Sequence, residues 1–386
     1  MKIVLIGNYE LDGQESMQRF AALMDGGLRR AGHEVRNVVP RCVVGRIRPS
    51  SHGIGKWLGY IDKFAVFPRD LKAALRWADV AHICDHSNSF YTGYMKSIPH
   101  VVTCHDLLAV RSALGEIPQN RPSVSGRQLQ RIISNGLKKA QHIVCVSEAT
   151  RRDSLRIMNL PEKRVSRVYN SLNYPYSRME RREAEYRVRK FIVDPGHPFL
   201  LHVGGNHWYK NRLGVLRIFS LLRKLGVKKD LKLVLVGPPG TDEMREFIWK
   251  HAMREAIVEL TKVCNEDLRA LYSIAKVMIF PSLQEGFGWP IIEAQACGCP
   301  VLTSCRAPMD EVGGDAAIYV DPENPEPAAI ILKKVLEREP GPHESSLRNV
   351  ARFTESGMID GYLSVYGKVQ REHCASKAPP VQSAIQ

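Results

Sequence analysis

Phe280-Pro281-Ser282-Leu283-Gln284-Glu285-Gly286-Phe287-Gly288-Trp289-Pro290-Ile291-Ile292-Glu293-Ala294 is the stretch on which the reading of this chain turns. An apolar run ends at Phe280, a loop with two glycines follows, and a helix is expected to start near Pro290, because proline suits the first helical turn. Strand, glycine loop and helix N-terminus in that order make an anion-binding arrangement, since the first N–H groups of a helix have no partner inside it. Gly286 and Gly288 let the backbone approach a ligand closely. Glu285 stands on the loop and Glu293 in the helix. An ionised carboxylate only accepts hydrogen bonds, so it suits hydroxyl groups rather than phosphate oxygens. Two carboxylates flanking phosphate-binding amides suit a molecule with phosphate in the middle and a polyol at each end, which is the outline of a nucleotide-sugar. Taken alone, Glu293 also fits the simpler role of complementing the helix dipole.

Outward from this segment the same grammar repeats. Val80-Ala81-His82-Ile83-Cys84, Val101-Val102-Thr103 and His142-Ile143-Val144-Cys145-Val146 are apolar without alternation, as parallel strands covered on both faces are. Helical stretches such as 16–31 and 128–140 separate them. The series restarts at Phe199-Leu200-Leu201-His202-Val203, followed by Leu231 to Val236, Val277 to Phe280 and Pro300 to Thr303. Strands alternating with helices predict a doubly wound α/β sheet, and two such series predict two Rossmann-like domains facing across a cleft. The boundary is expected between Arg178 and Pro198, where a basic helix-like run from Glu180 to Lys190 precedes the breaker Asp194-Pro195-Gly196-His197-Pro198. Residues 1–180 then form the first domain and 195–354 the second, with a helix at about 355–372 returning to the first. The tail from about Glu372 is expected to fray.

Length and composition agree. The 386 residues allow roughly two to three domains. With 44% hydrophobic and 25% charged residues the chain can build real cores. No apolar run approaches the ~18 residues of a spanning helix, and Met1 to Gly7 reads as a first strand rather than a secretory leader. The cytoplasm, with peripheral attachment to the inner face of the membrane, is the expected location. Nine cysteines without a Cys-x-x-Cys pair read as reduced thiols, and no spacing suggests a zinc site. Lys and Arg outnumber Asp and Glu by 55 to 40, a net charge of +15, which implies an anionic partner.

The string from Glu285 to Glu293 resembles the Glu-x7-Glu motif of retaining glycosyltransferases of family 4, which have the two-domain GT-B fold. Leu268 to Val277 and Ala296 to Leu302 resemble the family's flanking elements. The resemblance implies a retaining hexosyl transfer from a nucleoside diphosphate sugar, without metal or other cofactor, to a glycan, lipid-linked or small-molecule hydroxyl. It gives roles residue by residue. Glu293 would hold the ribose and Glu285 a donor-sugar hydroxyl, while Gly286, Phe287, Gly288 and Trp289 would meet the diphosphate. In Val203-Gly204-Gly205-Asn206-His207-Trp208-Tyr209-Lys210-Asn211-Arg212, Lys210 matches the family's phosphate-binding lysine. The family's arginine falls at Gly205 or Asn206, where this chain has none, and Arg212 is the candidate substitute. A fixed cation in a dry site stabilises the leaving diphosphate. His105, in Thr103-Cys104-His105-Asp106, would contact the donor sugar. Gly13, in the loop Gly7 to Gln14, would lie near sugar and acceptor; that loop lacks the Gly-x-Gly-x-x-Gly spacing of a dinucleotide site. Gly237 and Val263 would line the base pocket.

From 41 to 72, Arg41, Arg46, Arg48, Lys56, Lys63, Arg69 and Lys72 are interleaved with Trp57, Leu58, Tyr60, Phe64, Val66 and Phe67. Such a stretch suits an anionic membrane surface; a solvated face over core aromatics is the plainer alternative. An epimerase or phosphorylase on the same fold is the second reading. A nucleic-acid-binding protein is a third, suggested only by charge, since no zinc finger, RNP or KH signature occurs.

Overall fold

The computed structural model describes residues 1–48, 53–191, 197–227, 230–338 and 344–377. The chain divides into two compact units, Met1–Asn173 with Glu355–Gln386, and Tyr174–Thr354. Each is built on one parallel six-stranded sheet.

In unit 1 the strands are β1 (Lys2–Ile6), β2 (Glu34–Val38), β3 (Val80–Ile83), β4 (His100–Cys104), β5 (His142–Cys145) and β6 (Val165–Arg167), in spatial order β2-β1-β3-β4-β5-β6. Every residue of β3, β4 and β5 is buried, which is why these runs are apolar on both faces. Helix Glu15–Arg30 turns Phe20, Met24 and Leu28 inward at helical spacing.

The C-terminal helix Glu355–Lys377 belongs to this unit. Tyr362 and Tyr366, one helical turn apart, reach a buried polar chain. The Tyr362 hydroxyl lies 2.9 Å from Thr103 Oγ1, Thr103 Oγ1 lies 2.7 Å from His82 Nε2, and His82 Nδ1 lies 2.7 Å from the Tyr366 hydroxyl. Burial pushes the His82 pKa down to about 3, so the ring is neutral and both nitrogens serve as hydrogen-bonding atoms. The helix runs through Glu372 to Lys377 rather than fraying at Glu372; residues 378–386 lie outside the described residues.

In unit 2 the strands are β7 (Phe199–Val203), β8 (Lys232–Val236), β9 (Ile257–Leu260), β10 (Val277–Phe280), β11 (Val301–Ser304) and β12 (Ala317–Val320), in order β12-β11-β10-β7-β8-β9. Its core packs Leu216, Phe219, Leu222, Leu233, Leu235 and Ile279.

The division between the units falls at Asn173, earlier than the stretch from Arg178 to Pro198 where the sequence placed it, and the segment after it is bound to unit 2. The Tyr174 hydroxyl donates to Glu266, the Met179 N–H to Ser273 Oγ at 2.9 Å, Arg269 to the Ser177 carbonyl at 2.8 Å, and Lys190 Nζ to Asp267 at 2.6 Å. Helix Arg181–Val188 buries Ala184 and Val188. Its polar surface suggested a linker, but its small inward face and long basic arms dock it on helix Asn265–Ile274. Within it Arg181 pairs with Glu185 at 2.7 Å and Arg187 with Glu183 at 3.2 Å. The breaker residues 194–196 lie outside the described residues.

Candidate active site

Open α/β sheets bind ligands where the strand order reverses, beyond the carboxyl ends of the two strands concerned. In unit 2 the chain leaves β7 for β8 and β9 on one side, then crosses to β10, β11 and β12 on the other. The loops after β7 and β10 therefore meet. Lys210 comes from the first and Glu285 from the second, 75 residues apart, and the ammonium donates to Glu285 Oε1 at 2.7 Å. The side chains are 18% and 8% exposed, so the pair sits at the edge of the solvent. Phe280 lies under the ammonium, with its ring centroid 5.2 Å from Nζ. This contact and the carboxylate fix a flexible lysine in one place.

Contacts to the loop backbones hold that register. The Leu283 N–H donates to the Tyr209 carbonyl at 2.7 Å. Asn211, in left-handed backbone at φ 54°, donates through Nδ2 to the carbonyls of Pro281 and Pro322, each at 2.9 Å. Gly237 has φ 146°, and a Cβ there would stand 2.2 Å from the Gly204 carbonyl oxygen, so the loops after β7 and β8 touch backbone to backbone. No side chain larger than hydrogen fits that approach.

Gly288, at φ 100°, precedes helix Trp289–Ala296, which has proline in its first turn as expected. Glu293 lies on this helix, buried at 4% exposure, and its Oε2 accepts from the Tyr272 hydroxyl at 3.1 Å. Phe287 turns into the core against Phe353, ring centroids 5.6 Å apart. Its side chain is structural. Gly205 stays on the half-buried loop after β7. Val263 is half-buried on the loop between β9 and helix Asn265–Ile274.

Arg212 and Asn206 are bonded to each other and to the loop after β8. Arg212 is buried at the start of helix Arg212–Lys224, and its Nη1 donates to Asn206 Oδ1 and to the Pro238 carbonyl, the latter at 2.8 Å. Asn206 Nδ2 donates to the Pro239 carbonyl at 2.8 Å. Both side chains clip the loops after β7 and β8 together. Arg212 Nε and Nη2 are buried without a hydrogen-bond partner among the described residues, so two donor nitrogens of the guanidinium remain available to an anion.

Unit 1 has its own reversal point, between β1 and β3. Here Asn8 Nδ2 donates to Asp85 Oδ2 at 2.6 Å, and Gln14 also receives a bond from Asn8. Gly13, at φ 66°, closes the turn after Glu10–Asp12 in this loop. Asp85 also accepts from the Ser87 N–H at 3.2 Å and lies 3.1 Å from His86 Nδ1. Burial works against the Asp85 charge, but His86 and these hydrogen bonds outweigh it and hold the carboxyl well below its ordinary range. Burial likewise opposes the His86 charge, and the Asp85 carboxylate overrides it, raising the imidazole. His105, just after β4, is lowered by burial and so is neutral. Its Nε2 donates to the Cys84 carbonyl at 2.9 Å, and its ring stands edge-on to Phe20 at 4.7 Å. Nδ1 is then the acceptor nitrogen of the ring.

The stretch 41–72 splits in two. Asp62 is buried and accepts from the N–H groups of Val43, Val44 and Gly45 and from the Tyr9 hydroxyl. Lys63 is also buried and bonds Asp12, and Phe67 is in the core. These residues hold the loop and helix in place, which removes them from any outer face. Trp57, Ile61 and Phe64 are exposed at 63%, 45% and 42%, and their spacing sets them on one side of the helical run.

Reading the sequence missed Tyr272, Asn211, Asp85 and His86. Asn211 carried a signal, an asparagine directly before a helix. The others sit in ordinary helix or loop text.

The sequence profile described as "Glycosyl transferases group 1" matches residues 186–352, and the one described as "Glycosyltransferase Family 4" matches residues 17–174. The chain belongs to the glycosyltransferases of the family 4 type, with the two-domain, Rossmann-like GT-B fold. It is similar to O-antigen chain mannosyltransferase B of Escherichia coli, 28% identical over 62% of this chain and 63% of that protein. It is also similar to D-inositol 3-phosphate glycosyltransferase of Mycolicibacterium smegmatis, 23% identical over 74% and 65% of the two chains. The matches thus span under two thirds of these relatives' lengths. Among solved structures, sucrose-phosphate synthase from Thermosynechococcus elongatus superposes with a TM-score of 0.69 at 16% identity, covering 97% of this chain and 100% of that one. Anabaena HepE in complex with UDP and glucose gives a TM-score of 0.67 at 13% identity, covering 97% and 99%.

Proposed function

We propose that the chain transfers a hexose from a nucleoside diphosphate sugar to a hydroxyl acceptor with retention of anomeric configuration. The observation that carries this reading is the Lys210–Glu285 pair at the strand reversal of unit 2. An ammonium held 2.7 Å from a carboxylate offers a cation for the diphosphate and an acceptor for a sugar hydroxyl within one small volume. Donor binding exchanges the Lys210–Glu285 contact for contacts to phosphate and sugar. As the bond to the sugar breaks, negative charge grows on the departing diphosphate, and a preorganised cation lowers that barrier. Arg212, with Nε and Nη2 unpartnered, is the second cation offered to the diphosphate. Glu293, braced by Tyr272, takes the ribose. The acceptor proton passes to the leaving diphosphate, so no protein base is required.

The similarity to a mannosyltransferase favours a mannosyl donor and a glycan or lipid-linked acceptor, while the UDP and glucose bound to HepE favour the uridine series. A thermal-shift panel of GDP, UDP, GDP-mannose and UDP-glucose separates these, because a ligand of the native state raises its melting temperature. NMR of the product with the stabilising donor then reports the anomeric configuration. Inversion, or a new epimer formed without acceptor, overturns the proposal.

The exposed Trp57, Ile61 and Phe64, beside Lys56 and Arg46, form the face proposed to rest on anionic lipid. Co-sedimentation with phosphatidylglycerol vesicles should fall on Trp57→Ser/Phe64→Ser substitution; unchanged binding removes this face from the proposal.

A further inference from the structure

At the other end of the unit 1 sheet, ahead of the strands rather than beyond them, the chain forms a cleft of about 840 Å³. Asp79 and Pro99 in its wall directly precede β3 and β4. The cleft is therefore separated by the length of the strands from Asn8, Asp85 and His105. Leu75, Ala78 and Ile98 give it an apolar lining. Its cations come from two helix ends. Lys72 and Arg76 stand at the end of helix Phe67–Leu75, and Arg371 and Lys377 near the end of helix Glu355–Lys377. All four are exposed. Among the described residues Asp79 is the one carboxylate in the lining, and it already accepts the Lys2 N–H at 2.7 Å.

Four cations around one concavity repel each other and focus a positive potential into it. Arg76 and Arg371 carry forked donors that match phosphate oxygens, and the lysines add point charges. Tyr94, whose ring centroid is 5.4 Å from Lys72 Nζ, and Gln370 add neutral polar groups. The volume is that of a small-molecule site, and the apolar lining suits the carbon skeleton next to a phosphate.

We propose that this cleft binds a phosphate-bearing ligand, a phosphomonoester or diphosphate, which ties the end of the C-terminal helix to the end of helix Phe67–Leu75. The site is independent of the catalytic reading, and neither residues nor readout are shared with it.

Cys374 lines the cleft, is exposed and reports its occupancy. Its rate of alkylation by iodoacetamide, followed by peptide mass spectrometry on the full chain, is measured with and without pyrophosphate. At a concentration ten times the dissociation constant, alkylation should slow about tenfold, following the unbound fraction. The Arg76→Glu/Arg371→Glu double variant, confirmed as folded by circular dichroism, should lose that ratio. A parallel arm compares phosphatidylcholine vesicles with and without phosphatidic acid. Protection by pyrophosphate alone supports a soluble phosphate ligand, and protection by the phosphatidic acid vesicles supports a lipid headgroup. Absence of protection in both arms, or equal protection in the double variant, overturns the proposal.

Discussion

The two reversal points are built alike and equipped differently. In unit 2 the loops after β7 and β10 are joined by an ion pair at the solvent edge, Lys210 to Glu285. In unit 1 the loops after β1 and β3 are joined by Asn8 and Asp85, both buried, with His86 behind them. A ligand can take over the first contact, because both partners are near water and each has a counterpart on a sugar diphosphate. The second is a buried polar cluster around the Asp85 carboxylate, in which Asn8 Oδ1 has no hydrogen-bond partner, and breaking it exposes a buried charge. The same topology thus yields one loop contact suited to exchange and one suited to holding a loop still.

The largest expected effect breaks the comparison at its active side. Lys210→Met should lower transfer by roughly two to three orders of magnitude, the usual consequence of losing one preorganised stabiliser of transition-state charge. Asn8→Ala should leave the affinity for the nucleoside diphosphate unchanged, measured by calorimetry on both variants. Equal loss of diphosphate affinity in the two would erase the distinction. A smaller effect sharpens the buried side. His86 is raised and His105 lowered, so NMR titration should place their midpoints above and below about 6.5, the ordinary imidazole value. The signs follow from linkage. The His86 contribution to stability is fully present below about pH 6.5 and is lost as pH rises through its raised midpoint. His105, kept neutral, costs stability as pH falls below about 6.5. Matching midpoints would show that Asp85 does not govern His86.

Much of this was legible in the residues. The runs around Val80, Val101 and His142 are apolar on both faces because parallel central strands are buried on both faces, and that signal is local. The string from Glu285 to Glu293 carried its own punctuation, a strand end, two glycines and a helix-starting proline. The misplaced boundary had a physical cause. Helix Arg181–Val188 looks polar throughout, and the two small residues that dock it, Ala184 and Val188, are too few to produce a periodic apolar face. Arg212 was equally opaque, since sequence shows a cation near the glycine loop but not that its Nη1 ties the loops after β7 and β8 together.

Local chemistry therefore determined the class of fold, the positions of the strands, and the loop types that carry glycine, lysine and glutamate. Only the tertiary structure decided which of those groups meet. Lys210 and Glu285 are brought together across 75 residues by the crossing of the chain from β9 to β10. Tyr362 and Tyr366 find His82 and Thr103 because the C-terminal helix returns to the first sheet. Such pairings depend on strand order and helix direction, which arise from packing the whole chain and leave no mark on the neighbours of any one residue.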